Sequence, residues 1–133
     1  YVICSPSIWW HGEDVWQWEA QCAAERKDLN ATVFVTAGGL ETVALMKPIL
    51  QAMAQADGPM KAQMEKAVAA YEKHGWPRMA EITPEFVDKL KSRNYPGLKI
   101  HCHNLPDETH MSVIPGAMSR GLRYVFGHWN PAR

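Results

Sequence analysis

A single histidine, His110, lies in a short polar loop between a predicted strand, Leu98 to Leu105, and an amphipathic helix. An imidazole changes charge near neutral pH, so a histidine in such a loop can take up and return protons as a general base. The alternative is that His110 caps or packs the loop. Apolar residues at a 3.6-residue period predict the helix that follows, at Ile114, Ala117, Met118, Gly121, Leu122 and Val125.

A carboxylate, Glu41, follows another buried segment. Ala31 to Ala37 is apolar without alternation and rich in β-branched residues, which is typical of a parallel strand covered on both faces. Gly38 and Gly39 end this strand, and Glu41 comes directly after them. A carboxylate at this position can complement the dipole at the start of the next helix.

The order of predicted elements is strand, helix, strand, helices, strand, helix. It predicts an α/β fold with three parallel strands flanked by helices on both faces. The carboxyl ends of parallel strands meet at one edge of a sheet, where sites gather. Three segments leave such ends, Ser5 to Trp10, Gly38 to Glu41 and Pro106 to His110. We therefore expect the Glu41 carboxylate and the His110 ring to lie together at that edge.

The bounds of the elements follow from pattern and from turn residues. We expect strands at residues 1–4, 31–37 and 98–105, a loop at residues 8–12, and a tail at Trp129-Asn130-Pro131. We expect five helices. The first spans residues 13–28, and the second is marked by Leu45, Ile49, Leu50 and Met53, with Pro48 in its first turn. The third has the apolar stripe Met60, Met64, Ala67, Val68 and Tyr71 and is ended by Gly75-Trp76-Pro77. The fourth runs from the N-cap Thr83 and Pro84 to Asn94, and the fifth spans residues 114–126.

Composition limits the class of partner. Lys and Arg total 14, Asp and Glu total 14, and the basic residues are scattered, so no surface for nucleic acid or an anionic membrane is indicated. No apolar run is long enough to span a membrane. The three cysteines, Cys4, Cys22 and Cys102, are an odd number and form no close pair in the sequence, which favours reduced, buried thiols over a disulfide framework. Composition leaves the compartment open between cytoplasm and periplasm.

A histidine-based metal site is a further possibility. His101 and His103 share one face of the third strand and His110 is near in sequence, and zinc accepts such ligands. No matching cysteine or acidic cluster accompanies them. We therefore expect no metal and no cofactor.

Several runs occur together and in order: Ser5-Pro6-Ser7-Ile8-Trp9-Trp10, Gly39-Leu40-Glu41, residues 108–115 with Thr109-His110-Met111-Ser112-Val113, and Ser119-Arg120-Gly121-Leu122-Arg123. In this combination the chain resembles the putative-esterase family of α/β-hydrolases, which includes the enterobactin (siderophore) esterases. The resemblance covers nearly the whole chain, with least support at residues 55–78. It implies that residues 1–133 are the C-terminal part of one α/β-hydrolase domain, with a helical insertion near 55–82.

The resemblance implies a serine esterase that acts on a siderophore ester or another acyl ester. His110 falls on the family's catalytic histidine and Glu41 falls at the position of the acid, although a Ser-His dyad without a strong acid is also open. Trp9 and Trp10 would wall the substrate pocket, or alternatively pack over the end of the first strand. The family's Gly-x-Ser-x-Gly turn, which carries the nucleophile, has no counterpart here.

We therefore expect the chain to supply the base and the acid, and to be inactive alone. The chain opens directly in an apolar strand, so we expect it to be a fragment. Its expected partners are a small-molecule ester and either the upstream half of the same hydrolase or a second copy pairing through the first strand. A non-catalytic interaction domain is the alternative function.

Overall fold

The computed structural model describes residues 1–127, and it confirms an α/β fold with three parallel strands flanked by helices. The strands are β1 (Val2–Cys4), β2 (Ala31–Thr36) and β3 (Leu98–Cys102). The helices are α1 (Trp10–Glu13), α2 (Val15–Glu25), α3 (Val43–Gln55), α4 (Lys61–His74), α5 (Met79–Ser92) and α6 (Val113–Phe126). Within these residues no helix is long and apolar enough to cross a membrane.

The sheet has the order β1-β2-β3, with every pair parallel. Alternation along β2 sends Val33 and Val35 to one face, where they form a core cluster with Val87 of α5. Phe34 faces the other side, under α6. A methyl group at Gly121 would meet Val2 and Phe34 side chains, so this glycine lets α6 lie close against the sheet. Helices thus cover both faces, as predicted.

Helix α5 begins one turn earlier than the sequence indicated. Thr83 and Pro84, predicted as the N-cap and the first helical residue, lie inside the helix, which starts at Met79. Met79 and Ile82 are both buried, and this apolar contact extends the helix toward its N-terminus. The expected Thr83 cap is therefore wrong, because packing of the earlier turn outweighed the local capping signal.

A proline inside a helix leaves the carbonyl four residues earlier without its usual donor. For Pro84 that carbonyl belongs to Ala80, and the Asn104 side chain supplies the missing bond, with its Nδ2 donating to Ala80 O at 2.8 Å. The same amide accepts from Ala37 N at 3.0 Å through its Oδ1. One side chain therefore joins the ends of β2 and β3 to the proline-interrupted turn of α5.

The remaining differences are local. Pro48 lies in the second turn of α3 rather than the first, and α2 is shorter than expected at both ends. The expected loop at residues 8–12 contains the short helix α1, in which His11 and Gly12 have positive φ. Strand β3 ends at Cys102, although Leu105 still forms an isolated bridge with Gly38. The expected tail at Trp129-Asn130-Pro131 lies outside the described residues.

Two arginines that flank α5 tie it to the N-terminal helices. Arg78 bonds Glu13 at 2.8 Å and Glu85 at 3.0 Å, and Arg93 bonds the buried Glu19 at 2.8 Å. The hydrogen bonds from these guanidinium groups hold the pKa of Glu13 and of Glu19 below the usual range. Both carboxylates are therefore ionised at neutral pH.

We expect Asn104→Ala to lower the free energy of unfolding by about 1–2 kcal/mol, since it leaves Ala80 O and Ala37 N without partners. Pro84→Ala restores an N–H that can bond Ala80 O. In that background Asn104→Ala should cost less, and urea unfolding of the four proteins of this double-mutant cycle measures the difference. Equal costs in both backgrounds would contradict this account of Asn104.

Candidate functional site

The buried carboxylate of Glu41 is the centre of the candidate site. Its side chain has 0% exposure, and hydrogen bonds reach it from three directions. Oε1 accepts from the backbone N–H of Gly38 at 2.7 Å and from the hydroxyl of Ser5, while Oε2 lies 2.7 Å from Nδ1 of His110. These donors satisfy an ionised carboxylate that burial alone would disfavour.

The pairing of Glu41 with His110 also defines the state of the imidazole. A carboxylate oxygen accepts hydrogen bonds, so Nδ1 of His110 is the donor, and in the neutral ring Nε2 then carries the lone pair. The His110 side chain is 52% exposed, and no hydrogen bond from the described residues reaches Nε2. The pair thus has the form of a general base, with one nitrogen oriented and the other open.

The loop that carries His110 is held by bonds between its own polar residues. Thr109 N donates to the Ser112 hydroxyl at 2.9 Å, and Ser112 N donates to the Thr109 hydroxyl at 3.3 Å. Val113 N bonds Thr109 O at 3.1 Å and begins α6. These reciprocal bonds fix the turn around His110 at the entrance to the helix.

Two glycines allow the loop of Glu41 to approach the loop of His110. A Cβ at Gly38 would lie 2.4 Å from Glu108 O, and one at Gly39 would lie 2.4 Å from Pro106 O. Because neither glycine has a Cβ, the two loops come close enough for backbone hydrogen bonds, and Gly39 N donates to Leu105 O at 2.7 Å. Any larger residue would force the loops apart, and with them the carboxylate and the imidazole.

Ser5 connects the end of β1 to the same site. It is buried, its φ is +43°, and its backbone N–H donates to Thr36 O at 2.7 Å. A left-handed backbone is uncommon for a residue other than glycine, and here it coincides with the hydroxyl contact to Glu41. The three segments expected to converge at the carboxyl edge are therefore joined through a single carboxylate.

The described residues place no nucleophile next to His110. Ser5 donates to Glu41, Ser112 bonds Thr109, and no serine hydroxyl of residues 1–127 lies within hydrogen-bonding distance of His110 Nε2. Cys4 adjoins Ser5, but the pKa of its thiol is raised, mainly by burial. The hydrogen bond with Ser5 opposes this rise, and the nearby charge of Glu41 adds to it. A protonated thiol is a poor nucleophile.

Trp9 and Trp10 lie at the end of β1, where they were expected, but their contacts are with α4. Trp9 packs edge-on against Trp10 and Tyr71, at ring-centre distances of 5.6 and 5.4 Å. Both tryptophans line an apolar pocket of about 130 Å³ with His11, Ala70, Tyr71, His74 and Gly75. No ring contact or hydrogen bond of the described residues joins either tryptophan to Glu41 or His110, so their role in binding substrate stays a prediction.

The histidines of β3 do not form a metal centre with His110. His101 and His103 share one face of the strand as predicted and stack at 6.4 Å, but Nε2 of His103 lies 3.3 Å from the guanidinium of Arg120. Within the described residues no group of three or more potential ligands can hold a metal ion. The three cysteines form no disulfide with one another, and each is only partly buried, so the expectation that they are buried is wrong.

Sequence reasoning missed Ser5 and Asn104. Ser5 is assigned no role of its own from the sequence, although the segment Ser5 to Trp10 is expected at the same edge as the other two loops. Asn104 lies just after β3, and an amide side chain at the end of a strand was the available signal. Neither residue type specifies a partner on its own, because both contacts span large distances along the chain.

No protein-family model, curated protein or solved structure matches this chain. The resemblance to the esterase family therefore rests on the quoted residues.

Gly39→Ala should lower the free energy of unfolding by about 1–3 kcal/mol, because the methyl group overlaps the Pro106 backbone. Gly58→Ala is the matched control, since its added Cβ meets nothing within 4 Å. Denaturant unfolding of both variants measures the difference. Equal stability of the two would contradict the close approach of the loops.

Glu41→Ala should lower the free energy of unfolding by about 2–5 kcal/mol, since it leaves buried donors at Ser5 and Gly38 unpaired. His110→Ala should cost only about 1 kcal/mol, because its ring is half exposed and Glu41 keeps two donors. Thermal and urea unfolding, with the exposed Glu65→Ala as control, test this asymmetry. A larger loss for His110→Ala than for Glu41→Ala would contradict it.

Proposed function

We propose that this chain supplies the acid and base of a serine carboxylic-ester hydrolase of the α/β-hydrolase type. The observation that carries the proposal is the 2.7 Å contact between Glu41 Oε2 and His110 Nδ1 at the carboxyl edge of a parallel sheet. The motif resemblance assigns these same two positions to the catalytic acid and histidine. The substrate class is an acyl ester, and a siderophore ester fits the resemblance.

In this mechanism His110 Nε2 takes the proton of a serine hydroxyl as its oxygen attacks the ester carbonyl carbon. The imidazolium then gives that proton to the leaving alcohol as the carbon–oxygen bond of the ester breaks. Water, activated by the same nitrogen, hydrolyses the acyl-enzyme and regenerates the serine. Glu41 holds the ring in the required tautomer throughout, and its charge stabilises the imidazolium.

The serine of this mechanism comes from outside residues 1–133, on a strand that pairs with β1. Two features support this placement. β1 is bonded only to β2 within the described sheet, so its other edge is available. A parallel neighbour of β1 would end beside Ser5, at the same edge as Glu41 and His110.

A non-catalytic interaction domain is the second candidate, and one feature favours it. An apolar groove of about 380 Å³ lies beside β1, lined by Tyr1, Ile3, Ile8, Val33, Phe86, Leu90 and neighbouring side chains. Exposed apolar surface of this kind marks contact with other protein. In the hydrolase proposal the strand and helices that bring the serine cover the same groove, so activity distinguishes the two candidates.

The proposal is tested by extending the reading frame upstream and expressing the longer product. A fluorophosphonate should label the serine of a Gly-x-Ser-x-Gly turn, and ester hydrolysis should fall by about 10²–10⁴-fold in His110→Ala. His101→Ala is the control and should leave the rate unchanged, because His101 lies on the α6 side of β3 and contacts neither Glu41 nor His110 through its ring. The 133-residue chain alone should hydrolyse p-nitrophenyl esters no faster than its own His110→Ala variant.

Two results would contradict the hydrolase proposal. One is a longer product that lacks a labelled serine and has no esterase activity, which would favour the interaction domain. The other is a phosphonate adduct on a serine within residues 1–133, which would place the nucleophile in this chain.

A further inference from the structure

A second cluster of chemically active side chains lies between α6 and β3, on residues that the proposed hydrolase does not use. It surrounds a shallow pocket of about 240 Å³, here called the α6–β3 pocket, lined by Phe34, His101, His103, Arg120, Arg123 and Tyr124. This volume is below that of pockets for drug-sized ligands, so the pocket suits a small group.

The charges of this pocket are of one sign. Neither Arg120 nor Arg123 has a carboxylate partner among residues 1–127, whereas Arg78 and Arg93 each bond a glutamate. Arg123 is held instead by its own helix, with Nε donating to Ser119 O at 3.2 Å. The chain has no net charge, so two arginines without carboxylates at one pocket are a local excess of positive charge.

The histidines add a donor and a rigid wall. The Arg120 guanidinium only donates, so Nε2 of His103 accepts at 3.3 Å and Nδ1 carries the ring proton. His101 stacks on His103 at 6.4 Å and on Tyr124 at 5.4 Å. The stacked rings hold the polar groups on a preorganised surface, which lowers the entropic cost of binding.

We propose that the α6–β3 pocket binds a small oxyanion, a phosphate or carboxylate group, through Arg120 and Arg123. Guanidinium groups match the geometry of both anions and form charge-assisted hydrogen bonds with them. His103 provides a further N–H donor next to Arg120. The site is separate from Glu41 and His110 in its residues, and its test does not depend on hydrolysis.

The test is a titration of the isotope-labelled 133-residue chain with sodium phosphate and, separately, with sodium acetate. Ionic strength is kept constant with sodium chloride, because screening alone would shift charged side chains. We expect saturable changes in the side-chain NMR signals of Arg120, Arg123 and His103.

Arg120→Gln and Arg123→Gln should each weaken binding about tenfold or more, the effect of losing a hydrogen bond to a charged group. Arg26→Gln, an exposed arginine at the end of α2, is the control and should bind as the wild type does.

Each result decides the proposal. Saturable binding of phosphate identifies a phosphate site, and saturable binding of acetate alone identifies a carboxylate site. Shifts that do not saturate with either anion, or a loss in Arg26→Gln as large as in the pocket variants, would overturn it. As a second measurement, the bound anion should raise the melting temperature of the wild type and of Arg26→Gln but not of the Arg120→Gln/Arg123→Gln double variant.

Discussion

A buried carboxylate with three donors is the interaction on which the rest of this molecule depends. Burying a charged carboxylate without partners is strongly unfavourable, so the donors around Glu41 are a requirement of the fold. They come from the end of β1, from the loop after β2 and from the loop after β3. The same contacts that permit Glu41 to be buried therefore bring the three strand ends together and orient His110. Stability and the geometry of the candidate site have one physical cause.

The backbone contributes as much to this arrangement as the side chains. Gly38 and Gly39 leave no side chain between two loops whose backbones are in contact, so the loop of Glu41 lies directly against the loop of His110. Nearby, the side-chain amide of Asn104 accepts a hydrogen bond from Ala37 N after β2. It also donates to Ala80 O, the carbonyl that Pro84 leaves without its usual donor. Small residues and one bridging amide thus allow a proline-interrupted helix and two strand ends to pack at the same edge.

Sequence patterns were sufficient for those features that depend on local chemistry. The apolar run at residues 31–37 reflects burial along a single strand, and the 3.6-residue period predicted α6. The apolar face expected for α6 is only partly buried, because Ala117 and Gly121 pack against the sheet whereas Ile114, Met118 and Leu122 are exposed. The convergence of Glu41 and His110 was also predictable, because the carboxyl ends of parallel strands must meet. The start of α5 was not, since Thr83 and Pro84 form a good local capping signal that the burial of Met79 and Ile82 overrides. The Ser5 donor to Glu41 was not predictable either, because a serine carries no mark of a partner 36 residues away along the chain.

Glu41 is buried whereas its partner His110 is half exposed, and this difference bears on what the site can do. If Glu41 served only to complete the fold, a buried donor in place of His110 would satisfy it equally well and exclude water. Instead its Oε2 is bonded to a ring that is half exposed, with the second nitrogen available to another reactant. No hydroxyl of the described residues bonds that nitrogen, and β1 pairs only with β2 within the described sheet. A half-exposed, oriented imidazole at the carboxyl edge is what the proposed hydrolase would use, whereas a purely structural role for Glu41 does not account for the exposure of its partner.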